Sequence, residues 1–105
     1  MANKNNPLIS IVIPVYNSSS SIENVVQTTI EEFRESYEVE IILTNDCSTD
    51  NSHKVCQNLQ QNNPETITYL SLARNFGEHN AVMAGLNYSN GDYVKLDPVG
   101  GDPDT

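Results

Sequence analysis

Five polar residues stand at the downstream ends of apolar runs: Tyr16 and Asn17 after LISIVIPV, Asp46 after EIILTN, Arg74 after ITYLSL and Asp97 after YVKL. Their types suit a nucleotide. A tyrosine ring stacks on a planar base and an asparagine hydrogen-bonds one. A carboxylate just past a strand accepts from a ribose hydroxyl or a base N–H. The Arg74 guanidinium pairs with a phosphate or carboxylate. Asp97, with Asp102 and Asp104 beyond two glycines, could hold a divalent cation that bridges a pyrophosphate.

Each assignment has a structural alternative that the residues alone leave open. Tyr16 and Asn17 could form an ordinary turn around a half-buried ring, and Asp46 could cap the helix that follows. Arg74 could tie Asp46 or Asp50 into a salt bridge between loops, and Asp102 and Asp104 could be a solvated tail. Asp50 reads as a helix cap. His53 and His79 fall near helix starts, facing solvent, and receive no chemistry.

Fourteen acidic residues against five basic ones give a net charge of −9. This excludes nucleic acid as a partner, because neutralising phosphates takes clustered Lys and Arg. It also constrains a phosphorylated ligand, whose charge must be met by backbone N–H groups, one well-placed arginine or a metal held by carboxylates. The first loop, VYNSSSS, contains no glycine, so the GxGxxG dinucleotide fingerprint and the Walker phosphate loop are both absent. Cys47 and Cys56 lack a second Cys/His pair at zinc-site spacing and read as reduced thiols. No apolar stretch approaches a membrane span and Met1–Pro7 is polar, which reads as a cytoplasmic protein.

The elements that must position these residues follow from hydrophobic period. At 105 residues the chain is one small domain. Leu8–Val15 is a β-branched run suited to a strand buried on both faces, with Pro14 marking its end. Ile22, Val25, Val26, Ile30 and Phe33 form one stripe of a helix, with Ser20 and Glu23 at capping-box spacing and Glu31 and Glu32 on the wet face. Tyr37–Thr44 is a second strand; a helix carrying Val55, Cys56 and Leu59 then runs to about Gln61 before Asn62, Asn63 and Pro64 stop it. Ile67–Leu72 is a third strand, Asn80–Tyr88 a helix with small residues at Ala81, Ala84 and Gly85, and Asp92–Leu96 a fourth strand. The order βαβαβαβ predicts an α/β fold, a Rossmann-like doubly wound sheet, mostly parallel with right-handed crossovers. Such sheets bind ligands beyond the carboxyl ends of their strands. Residues 1–8 read as a flexible segment, 9–97 as the domain and 98–105 as loop or tail.

The pieces ISIVIPVYN, EIILTNDCSTDNS, LARNFGEHNAVMAGLNYSNGDYV and LD, in that order over residues 9–97, resemble the nucleotide-binding half of inverting family 2 glycosyltransferases with the GT-A fold. They are most similar to the polyprenyl-phosphate sugar transferase branch, which includes dolichol-phosphate mannose synthase. RNFG followed by the AGL helix is the most branch-specific piece. The resemblance implies that Pro14, Tyr16 and Asn17 form the first nucleotide-contacting loop, that Asp46 binds the base and that Arg74 lies near the diphosphate. It implies that Asp97 is the first Asp of the DxD-type metal and ribose motif, with Mg or Mn as the divalent cofactor. It also implies transfer of a hexose, with inversion, from a nucleotide diphosphate sugar to a lipid-phosphate or saccharide acceptor in cell-envelope polysaccharide synthesis, at the inner face of the membrane.

Two departures qualify that expectation. The chain reads Asp97-Pro98-Val99 where the family has Asp-x-Asp, and a valine cannot coordinate a cation. Family members also continue well past this length to supply the acceptor pocket and the general base. The expectation is therefore a truncated donor half, inactive alone, that binds nucleotide weakly, with no catalytic residue of its own. Two alternatives stand beside it. One is a receiver-like regulatory module in which Asp46 accepts a phosphoryl group; the other is self-association into a homo-oligomer through an exposed sheet edge.

Overall fold

The computed structural model describes residues 6–96. Strand β1 (Leu8–Val15), helix α1 (Ile22–Phe33), strand β2 (Glu38–Asn45), helix α2 (Ser52–Asn62), strand β3 (Ile67–Ser71), helix α3 (Glu78–Leu86) and strand β4 (Tyr93–Leu96) alternate along the chain. The strands form one parallel sheet in the order β3-β2-β1-β4. This is the expected doubly wound arrangement.

Strand period two sends alternate residues to opposite faces of the sheet. Ile9, Ile11, Ile13 and Val15 of β1 join Ile41 and Leu43 of β2 and Ile67 of β3 in the main core, under Ile22 and Val26 of α1 and Cys56 and Leu59 of α2. The opposite parity, Val12, Ile42 and Thr44, lies under α3 at Gly85. A Cβ at Gly85 would stand 2.5 Å from Val12 Cγ1 and 2.9 Å from Thr44 Oγ1, so the small residue is what lets the helix lie this close. The chain thus moves outward from β1 through β2 to β3 on one face, then crosses on the other face to β4 on the far side of β1. That reversal puts the topological switch point at the carboxyl ends of β1 and β4.

Several boundaries differ from the sequence reading. Pro14 lies within β1, buried and paired with Thr44. The Val15 carbonyl accepts the Asp46 N–H at 2.8 Å, so the neighbouring Pro14 turns its backbone away from β2. Among the described residues, the ladder with β4 extends along β1 to Val12↔Leu96. Helix α1 is capped from Ser21 and not Ser20, without a side-chain cap; the Ser18 carbonyl accepts the Ser21 and Ile22 N–H groups instead. Helices α2 and α3 begin earlier than their apolar stripes, because Asp50 and Asp46 supply acceptors at or near their first turns. No helix among the described residues is long and apolar enough to cross a membrane.

Candidate functional site

The loops after β1, β2 and β3 emerge at the same end of the parallel sheet, and side chains cross-link them. Asn17 sits in the left-handed region at φ 49°, a conformation that asparagine tolerates better than most side chains. Its Oδ1 accepts from the Thr49 N–H at 2.8 Å, the Thr49 hydroxyl at 3.2 Å and the Asp50 N–H at 3.3 Å. Its own N–H donates to Ser48 Oγ at 3.0 Å. One residue on, the Ser18 N–H donates to Ser52 Oγ at 2.9 Å, and the Ser19 N–H donates to Asp50 Oδ2 at 3.2 Å.

Asp50 precedes the N-cap residue Asn51 of α2 and bridges that helix to the first loop. Its Oδ1 accepts the Ser52 N–H at 2.9 Å at the start of α2 while Oδ2 holds the first loop. Partial burial alone would push this carboxyl up; bonds from Ser52 and Ser19 outweigh it and hold the group below its ordinary value.

Asp46 joins the second loop to the third. It is only 3% exposed, and both oxygens accept backbone N–H groups, from Phe76 at 2.7 Å and Gly77 at 2.9 Å. Of the two roles open to it on sequence, ligand acceptor or cap, the carboxylate is committed here to shaping the RNFG loop and launching α3. Gly77, at φ 94°, supplies the backbone that presents its N–H, which few other residues could do without strain. The burial of Asp46 also disfavours the receiver-like alternative, which needs an accessible phosphoacceptor.

Tyr16 is half-buried at the β1 tip, where its carbonyl accepts from the Ser18 hydroxyl at 2.9 Å. Arg74 is exposed, with its guanidinium 5.0 Å from the centroid of the Phe76 ring. It is stacked on its own loop, rather than drawn back to Asp46, whose oxygens are both engaged. Pro14, expected in the contacting loop, is the penultimate residue of β1 and is buried. Asp97 lies outside the described residues, as do Pro98, Val99, Asp102 and Asp104. The site residues that sequence reasoning missed are Ser48, Phe76 and Gly77, which act through a hydroxyl and two backbone N–H groups. Gly77 alone carried a signal, as the glycine of RNFG.

A divalent ion was expected on Asp97. Among the described residues no group of three or more His, Cys, Asp or Glu side chains could hold a metal ion. The described residues do not by themselves supply a site for it. Cys47 and Cys56 are free thiols; burial first, and then the Asp50 charge, push the Cys56 thiol up to about 12.

The model of Glycosyl transferase family 2 matches residues 10–96, which takes in β1 through β4 and every loop just described. The chain belongs to this family. A similar relative of the family is an undecaprenyl-phosphate 4-deoxy-4-formamido-L-arabinose transferase of Proteus mirabilis, 38% identical over 87 residues, which span 82% of this chain and 27% of the relative. A prophage bactoprenol glucosyl transferase homolog of Escherichia coli is 40% identical over 88 residues, covering 82% of this chain and 28% of that protein. The chain spans about a quarter of the length of these curated relatives. Among solved structures, a mannosyltransferase from Pyrobaculum calidifontis in complex with GDP-Man and Mn2+ superposes with a TM-score of 0.77 at 18% identity, covering 91% of this chain and 28% of that one. TarS of S. aureus in complex with UDP gives 0.73 at 22% identity, covering 87% and 27%. At these identities the likeness is one of fold, the GT-A arrangement.

Proposed function

We propose that this chain is the donor-nucleotide half of an inverting glycosyltransferase that passes a hexose from a nucleoside diphosphate sugar to a polyprenyl-phosphate acceptor. The observation that carries this reading is the Asp46 clasp on Phe76 and Gly77. It fixes the loop bearing Arg74 at the end of the sheet where the β1 loop presents Tyr16. The relatives that act on undecaprenyl phosphate support the lipid-phosphate acceptor.

In this proposal Tyr16 stacks on the base, Asn17 and Asp46 set the shape of the loops around it, and Arg74 neutralises part of the diphosphate. Asp97 takes the ribose. The acceptor oxygen attacks the anomeric carbon while the bond to the diphosphate oxygen breaks; charge builds on the departing diphosphate, where a cation lowers the barrier. Arg74 is the cation that the described residues offer there. We assign no catalytic base. A divalent metal held by Asp97 would add Lewis-acid stabilisation of the leaving group.

Calorimetric titration of UDP and GDP into the 105-residue chain tests the proposal. Saturable binding is expected, weakened about tenfold in Arg74→Ala, the order of one charge-assisted contact, and weakened also in Tyr16→Ala. Absence of binding, or equal binding by wild type and both variants, would sink it.

A further inference from the structure

Asn45, the last residue of β2, is only 2% exposed, and it reaches all three strand tips from which the site loops start. In the sheet it pairs with Val15 of β1 and Ser71 of β3, and its carbonyl accepts the Leu72 N–H at 2.9 Å where the third loop begins. Its side chain makes the remaining links. Oδ1 accepts the Ser48 N–H at 3.1 Å and the Ser48 hydroxyl at 2.6 Å, while Nδ2 donates to the Tyr69 hydroxyl at 2.9 Å.

A backbone N–H can only donate, so the Ser48 N–H fixes the Asn45 amide with its oxygen toward Ser48 and its NH2 toward Tyr69. With its proton given to Asn45, the Ser48 hydroxyl keeps its lone pairs for the other side, where it accepts the Asn17 N–H at 3.0 Å. Two left-handed residues depend on this arrangement. Cys47, at φ 58°, lies inside the turn that the Asn45 and Ser48 contacts close, and Asn17, at φ 49°, is held by the oriented Ser48 hydroxyl as well as by its own side chain. Such backbone persists only where the surrounding bonds over-determine it.

We propose that Asn45 is a positioning residue for the donor site: by orienting the Ser48 hydroxyl it sets the left-handed turns at Asn17 and Cys47 that shape the Tyr16 and Asp46 loops. The effect on nucleotide affinity rests on the donor reading above; the ordering of the loops does not. A residue that only filled space would be replaceable by shape, whereas this role needs an acceptor aimed at Ser48. Aspartate keeps that acceptor, and its second oxygen can accept from the Tyr69 hydroxyl. Alanine supplies neither. The Ser48 N–H and hydroxyl then lose their shared acceptor, and the hydroxyl is free to turn away from Asn17.

Amide hydrogen exchange on the full chain reads the loops without ligand. In Asn45→Ala the Asn17 and Ser48 amides are expected to exchange about tenfold faster, the order of one lost hydrogen bond, and in Asn45→Asp they should stay close to wild type. Ile67→Val is the control for general destabilisation: it trims a core residue, 1% exposed, at the opposite end of β3 from the loops. Should Asn45→Ala fail to fold, Ser48→Ala removes the acceptor of the Asn17 N–H from a partly exposed loop and should speed exchange at Asn17 in the same way. In UDP and GDP titrations Asn45→Ala is expected to bind about tenfold more weakly, with Asn45→Asp and Ile67→Val close to wild type. Amides indifferent to loss of the Asn45 and Ser48 acceptors, or accelerated equally by Asn45→Asp and Ile67→Val, would overturn the proposal. Faster exchange with unchanged affinity would refute the link to the site. Absence of binding by every protein, wild type included, would sink the donor reading and leave hydrogen exchange to decide the role of Asn45.

Discussion

Asp46 and Gly77 stand 31 residues apart in sequence, yet the carboxylate of one holds the backbone N–H of the other at 2.9 Å. The same carboxylate holds the Phe76 N–H at 2.7 Å. The pairing turns a charge at the end of a strand into the support for a loop, and the loop carries Arg74. Asp46→Ala should strip the Phe76 N–H of its acceptor, leave the Gly77 N–H with Asn75 Oδ1 alone, and lower unfolding free energy by about 1–3 kcal/mol. Asp46→Asn should cost less, since one oxygen remains. Urea denaturation measures both, and hydrogen exchange at Phe76 and Gly77 should accelerate in the same order.

The first loop is expected to respond to backbone and side chain separately. Asn17→Ala loses the acceptor for Thr49 and Asp50 while keeping a side chain at φ 49°. Asn17→Gly loses the acceptor and relieves the backbone. Stability should rank wild type, then Gly, then Ala, with a total loss of about 1–2 kcal/mol in Ala. A glycine variant no more stable than alanine would argue against strain at this position.

Where α3 meets the sheet, packing and polarity make opposite predictions. The Thr44 hydroxyl is buried without a hydrogen-bond partner, so Thr44→Val, of similar shape, should raise stability by about 1 kcal/mol. Gly85→Ala would drive a methyl to within 2.5 Å of Val12 Cγ1. It should destabilise by roughly 1–3 kcal/mol, less the helix-propensity gain of about 1 kcal/mol. Paired denaturation curves would check both signs.

Acid should loosen the turn between α3 and β4. Partial burial would push the Glu40 carboxyl up, but bonds from the Ser10 hydroxyl and from the Asn90 side chain and N–H outweigh it, holding the group below its ordinary value. The Ser10 hydroxyl in turn accepts the Gly91 N–H at 2.8 Å. A carboxyl depressed on folding contributes stability that is present above its unfolded value, roughly 4.3, and lost as pH falls through its folded value. Glu40→Gln should therefore flatten that part of the acid limb. Denaturation midpoints followed down to about pH 3 should converge for the two proteins, and an unchanged acid slope would contradict the assignment.

The amino-acid sequence by itself determined the alternation of elements, since periods of 2.0 and 3.6 are local properties of the chain. It thereby determined which loops share one end of a parallel sheet. The main core was legible for the same reason: the stripe Ile22, Val25, Val26, Ile30 and the run LISIVIPV leave little choice about what faces inward. Only the tertiary structure decided what the polar side chains at that end do. Which backbone amides Asp46 holds, whether Pro14 ends a strand or lies within it, and which ring the exposed His53 meets all turn on register between distant segments and on the left-handed backbone at Asn17. Burial is encoded residue by residue, whereas a hydrogen bond needs two groups brought to within about 3 Å, and that distance exists only once the strands have paired.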